Sequence, residues 1–146
     1  MTVASWPARV AALALLAAQT GCINEDYVFY VTDITVDVDA PGDGPITVVF
    51  HHAWQGEGVT GHPLGPIEEV TFDALPATHT LSYPQHAGEG LVLYAWQDDD
   101  GDGVLCAPGV DDEASGVTEV EGFPAHQLDA FVTLDALCRG AEGLYP

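Results

Sequence analysis

Lysine is absent from this 146-residue chain, and arginine occurs only at Arg9 and Arg139. Against these stand 23 Asp and Glu, for a formal net charge of −21. A surface of that sign repels phosphate backbones, which excludes nucleic-acid binding. It also repels anionic lipid headgroups unless something anchors the chain. Cations are its natural partners. No apolar run approaches the roughly 20 residues of a membrane-spanning helix. A sustained helical period is missing beyond residue 21, which argues against a bundle. The chain has no Gly-x-Ser-x-Gly elbow, and Gly56, Gly58 and Gly61 lack the following helix and Lys of a phosphate loop. Ser82 and Ser115 sit in no recognisable nucleophile setting, so no enzyme activity is expected. Hydrophobic residues nevertheless make up 47%, too many for a disordered acidic tail, and the length suits one domain.

Cysteine is scarce and odd in number, 3 in all. The first lies in a targeting pattern. Arg9 closes a short n-region, residues 10–18 form an apolar h-region too short to cross a bilayer, and Gln19-Thr20-Gly21-Cys22 follows. Small residues directly before this Cys resemble the lipobox of bacterial lipoproteins. Gln19 stands where that family prefers Leu, while Gly21 and Cys22 match. The resemblance implies a signal peptide over residues 1–21, lipidation of Cys22 as the first mature residue, and attachment to the cell envelope. Ile23 replaces the Asp that retains enteric lipoproteins at the inner membrane, which favours the outer one. The rival is ordinary secretion with Cys22 as a thiol. Residues 22–26 make a short tether, and residues 27–146 the folded domain. Lipidation leaves Cys106 and Cys138 to form a disulfide in an oxidising compartment.

Short alternating segments punctuated by Gly and Pro fill that domain. Strands are expected over residues 27–39, 46–54, 67–72, 78–83, 91–96, 117–120 and 130–134. The stretch from Tyr27 to Val31 is apolar at every position and so is expected to be buried on both faces, as is Leu91 to Trp96, read as the central strand. Residues 55–66, with four Gly and two Pro, read as a loop. Seven short strands without helices predict an all-β fold, a single antiparallel β-sandwich. Trp54, Trp96, Tyr83 and Tyr94 fit its core better than a sugar-binding face.

After the central strand comes Asp98-Asp99-Asp100-Gly101-Asp102-Gly103. Carboxylates at alternate positions closed by Gly match the first half of a calcium loop, with the carbonyl of Val104 as a further ligand. An EF-hand is excluded, because Gly109 occupies its twelfth position and a strand precedes the loop. The arrangement resembles the Asp-rich calcium loops in β-sandwich repeats of bacterial surface adhesins, in which a later acidic cluster completes the shell. That role would fall to Asp111, Asp112 and Glu113. The seven-strand pattern also resembles transthyretin-like domains of exported bacterial proteins. Both resemblances imply a binding or structural module rather than an enzyme, and the adhesin-like loop implies calcium. A solvated Asp/Gly turn is the rival.

A different class of function would use His51, His52 and His62 to hold copper or zinc, or to do chemistry. Adjacent strand residues face opposite ways, so His51 with Val49 and Ala53, and His52 with Phe50 and Trp54, should lie on opposite faces. A peptide or glycan held by the loops is a third possibility.

The lipobox generates a direct test. Cys22→Ser should move the protein from the membrane pellet to the soluble envelope fraction; a variant that still pellets after a high-salt wash has some other anchor.

Overall fold

The computed structural model describes residues 29–56, 59–84, 89–106 and 113–145. The signal segment, Cys22, Asp111 and Asp112 lie outside the described residues. Eight strands and one short helix follow in order: β1 Phe29–Asp39, β2 Ile46–Gly56, β3 Val59–Phe72, β4 Ala77–Pro84, β5 Glu89–Gln97, β6 Ala114–Glu119, β7 Gln127–Thr133, β8 Ala136–Leu137 and α1 Ala141–Leu144. They build a three-stranded sheet in the order β4-β1-β7 and a five-stranded sheet in the order β3-β2-β5-β6-β8.

Alternation decides what each strand buries. Ile34 and Val36 of β1, Leu81 and Tyr83 of β4, and Val132 of β7 line the inner face of the smaller sheet. Val48 and Phe50 of β2 with Leu91, Leu93 and Ala95 of β5 line the inner face of the larger one. Together they form one core between the sheets, so the fold is the expected all-β sandwich. Each such side chain contributes roughly 1.5–3 kcal/mol by leaving water. The middle strand is β5, whose residues from Leu91 to Trp96 are all buried, as their unbroken apolar run requires. Its outer face carries Val92 and Tyr94, near the C-terminal segment: Ala141 and Tyr145 pack on a cluster of Ala53, Leu64 and Val92, and Tyr94 Oη donates to the Arg139 carbonyl at 2.8 Å.

Three features depart from the expected layout. The pairing of β1 with β7 is parallel, from Asp33↔Gln127 to Asp39↔Thr133. Parallel neighbours need a long crossover, and the whole intervening chain supplies it. The Gly- and Pro-rich stretch is strand rather than loop, since β3 begins at Val59 and pairs with β2 through two register shifts, between Phe50/His51 and His52/Trp54. It sits at the sheet edge, where Pro and bulges cost least. Phe29 and Val31, expected to be buried, are 64% and 50% exposed. Among the described residues no layer covers the outer face of the smaller sheet at these positions, and Val31 lines an open cleft with Asp33, His126 and Gln127.

The chain leaves the smaller sheet after β7 and joins the larger one at β8, where Ala114↔Leu137 and Ser115↔Ala136 pair. At this crossing the backbone runs against Gly116, where a Cβ would stand 2.0 Å from the Thr133 carbonyl oxygen and 2.9 Å from its carbon. Both obstacles are backbone and cannot swing aside. Gly116→Ala should therefore destabilise the protein by about 3 kcal/mol, lowering the melting temperature by roughly 10 °C. Gly140→Ala, whose Cβ meets nothing within 4 Å, should change it little. Urea melts of the two variants check the contrast.

Candidate metal centre

The loop begins where β5 stops. Gln97 is buried and ties the preceding β1–β2 turn to the strand end: Gly42 N donates to its Oε1 at 2.9 Å, and its Nε2 donates to the Gly44 carbonyl at 3.3 Å. Asp98 N then donates to the Pro45 carbonyl at 3.0 Å. From this fixed start the chain coils around its own carboxylates. Asp98 accepts from Gly101 N through Oδ1 at 2.7 Å and from Gly103 N through Oδ2 at 3.0 Å. Asp100 Oδ1 accepts from Asp102 N at 3.0 Å, and Asp102 Oδ1 from Val104 N at 2.7 Å. Gly101 and Gly103 take φ of 78° and 75°, a region other residues rarely enter.

Glu113 closes the loop from the other side. It is 1% exposed. One of its carboxylate oxygens and one from each of Asp98, Asp100 and Asp102 all lie within 4.8 Å of one another. Its Oε2 accepts from Cys106 N, whereas its Oε1 is buried with no hydrogen-bond partner. A buried carboxylate oxygen without a donor is a costly group, normally compensated by a proton donor or a cation. Among the described residues, no Lys, Arg or His comes within ion-pair distance of the four acids; His79 Nε2 instead lies 3.1 Å from Glu68 Oε2. At about 4.8 Å each pair of ionised carboxylates repels by roughly 1 kcal/mol in water and about 3 at an effective dielectric of 20. Val104 enters the loop through its N–H; its side chain is 55% exposed. Of the acidic group 111–113, only Glu113 falls among the described residues.

The disulfide pairs Cys106 with Cys138, with Cα atoms 5.4 Å apart. Closing a loop of 32 residues, it is worth about 3–4 kcal/mol on the chain-entropy view. Both half-cystines adopt the left-handed region, with φ of 49° and 53°. Each costs about 1–2 kcal/mol there, and the backbone N–H of each meets Glu113. Cys106 N meets the side chain, and Cys138 N donates to the Glu113 carbonyl at 3.0 Å. Glu113 thus joins the acidic loop to the cross-link. Tyr94 lies beside this junction. Burial, with the Glu113 charge adding to it, pushes its hydroxyl up to about 12.

The histidines do not converge. His51 and His52 occupy opposite faces of β2. His52 points inward, its ring 5.7 Å from that of Tyr83, and His51 points outward with Nδ1 3.2 Å from the Val49 carbonyl. His79 stacks on Phe50 with centroids 5.2 Å apart, and His126 on Tyr30 at 5.5 Å. The His62 side chain lies outside the described residues. Among the described residues, the acidic group is the one cluster of potential metal ligands. Tyr83, Tyr94 and Trp96 are buried, and Trp54, at the far end of β2, is half exposed.

No protein-family model matches the chain, and no curated protein matches it. Among solved structures it is similar to an alternative pilotin from the type II secretion system of Vibrio cholerae, with 14% identity and a TM-score of 0.43, over 73% of this chain and 96% of that one. Neither the fold described above nor the function proposed below rests on that likeness.

His51 gives the fold a pH dependence. Burial lowers its pKa below the ordinary 6.5, outweighing the Val49 carbonyl and the charge of Glu142, which raise it. Well above pH 6.5 the ring is neutral in both states and its contribution is complete. As pH falls further the unfolded chain takes the proton first, and that stability is lost until the folded ring titrates. The acid side chains titrate as well, so the readout is a difference. From pH 7 to 5 the wild type should lose more stability than His51→Gln, measured by urea unfolding; parallel losses would show that His51 is uncoupled from folding.

Proposed function

We propose that this chain is a lipid-anchored module of the cell envelope, without catalytic activity, whose sandwich is stapled by one calcium ion held between Asp98, Asp100, Asp102 and Glu113. The observation that carries the ion is the buried, partnerless Oε1 of Glu113 in a group of four converging carboxylates. An all-oxygen set on a flexible Asp/Gly loop suits a hard cation that accepts irregular coordination, which is calcium rather than zinc or copper. Cys106 offers no thiolate to a softer metal, being cross-linked. The Val104 carbonyl, Asp111 and Asp112 are the further oxygens available along the chain.

The strand order supports the same reading of the anchor. Trp54↔Glu89 and Phe29↔Pro84 sit at one end of the sandwich, and Ile46↔Gln97, next to the acidic loop, at the other. β1 therefore starts about 30 Å from the loop. A lipid on Cys22, seven residues before Phe29, would hold that end near the bilayer and leave the calcium loop facing away. Such a geometry keeps the most acidic part of the surface clear of anionic headgroups. A His-based copper or zinc protein finds no support in the opposed His51 and His52.

Asp100→Asn with Asp102→Asn tests the ion cleanly. Both side chains keep an oxygen for the backbone N–H they now accept, and both are exposed. With calcium at about 100 times Kd, binding adds about 2.7 kcal/mol to wild-type stability and raises its melting temperature by on the order of 10 °C. The double variant should lose most of that rise, while its calcium-free stability stays equal or increases slightly as repulsion is relieved. Equal calcium shifts in the two proteins, followed by thermal melts in chelator and in millimolar calcium, would leave the loop as a solvated turn.

A further inference from the structure

We infer that calcium occupancy and the Cys106–Cys138 disulfide are coupled through Glu113, so that the cation site is complete only in the oxidised protein and the bound ion in turn protects the cross-link. The inference rests on the calcium reading above and concerns how that same site is controlled.

Glu113 is the one member of the group that comes from outside the Asp loop, and its placement depends on both half-cystines. Cys106 N donates to its side-chain Oε2, Cys138 N donates to its carbonyl at 3.0 Å, and Cys106 Sγ lies 3.8 Å from the same carbonyl. The disulfide bond connects the residues that carry these two donors. Both half-cystines are held at positive φ, a conformation non-glycine residues keep only while their surroundings impose it. Opening the bond frees both to return to ordinary backbone angles, and the two N–H groups that orient Glu113 move with them. The three aspartates need no such help, since their own loop N–H groups hold them. Reduction therefore removes one carboxylate of four and leaves a weaker three-carboxylate loop in which Asp100 and Asp102 are exposed.

The cross-link is reachable. Cys138 is exposed and Cys106 partly so, in contrast to the buried Glu113 beside them. A dithiol reductant can attack without prior unfolding. The S–S bond breaks, each Sγ leaves as a thiol carrying a proton from the reductant, and the dithiol closes to a cyclic disulfide. Linkage then works in both directions. If reduction weakens calcium binding by some factor, saturating calcium shifts the thiol–disulfide equilibrium toward the disulfide by the same factor.

Two measurements on the full chain test this. Calcium is titrated calorimetrically into oxidised protein and into protein reduced with dithiothreitol, with circular dichroism following strand content. Kd should rise about tenfold or more on reduction. Separately, opening of the disulfide is timed by alkylation and mass spectrometry, at dithiothreitol concentrations where the rate stays proportional to reductant, so that unfolding is not limiting. Calcium should slow opening severalfold in wild type and not in Asp100→Asn/Asp102→Asn. The same Kd in both redox states overturns the coupling while the calcium reading stands; an opening rate indifferent to calcium overturns the protection of the cross-link. Absence of binding to the oxidised protein overturns both. Where reduction also abolishes strand content, the opening rate of wild type against the double variant decides.

Discussion

A strand that is apolar at every position must be covered twice. β5 meets this condition, with all residues from Leu91 to Trp96 buried, and much of the architecture follows from how its two faces are closed. The three-stranded sheet closes one face through Ile34, Leu81, Tyr83 and Val132. At the other face, the outer side of the larger sheet, Val92 packs with Ala53 and Leu64, and Ala141 and Tyr145 lie on that cluster. The chain after Cys138 could not stay there by apolar contact alone, since α1 has only four residues and none is fully buried. Polar contacts assist it: Tyr94 and Ser115 both donate to the Arg139 carbonyl at 2.8 Å. The disulfide fixes Cys138 directly before that point.

The same disulfide links the fold to the acidic loop. Cys106 ends the loop, Cys138 begins the covering segment, and Glu113, next to β6, receives a hydrogen bond from each. A carboxylate that is almost wholly buried, in a chain of net charge −21, is an expensive group to keep. Its neighbours make it more so, because the three aspartates also point at one another and their N–H partners satisfy only part of their lone pairs. Two features meet at this end of the sandwich: the cross-link that fixes the segment covering the larger sheet, and the four converging carboxylates. Glu113 contacts both.

Much of the arrangement was legible in the residues. The period-two alternation of β1, β4 and β7 showed which side chains face inward. The positions of Asp98, Asp100 and Asp102, with Gly101 and Gly103 between and behind them, implied a loop that turns its carboxylates inward, and all three converge as that spacing suggests. The opposed faces of His51 and His52 follow from strand geometry alone. Other features were hidden for definite reasons. The stretch from Val59 to Pro66 has the composition of a loop, and it is strand because an edge position tolerates missing donors and shifted register. Phe29 and Val31 have the composition of a core, and they are exposed because none of the described residues packs over that part of the smaller sheet. No local pattern separates a strand with a covering layer from one without.

By itself the sequence determined the strand-forming alternation, the acidic surface, the tight acidic turn and the pool of cysteines, since each depends on residues near one another in the chain and on short-range sterics and charge. Only the tertiary structure decided that Glu113 meets the aspartates, that β1 lies parallel to β7, that the C-terminal segment packs on the outer face of the larger sheet, and that Glu113 is buried against both half-cystines. These are contacts between distant parts of the chain. They depend on how two sheets pack and where the connecting segments must pass, and side-chain period says nothing about that choice. Glu113 shows the difference most plainly. In the sequence it is one of three adjacent acids; in the fold its carboxylate is buried and one of its oxygens has no partner.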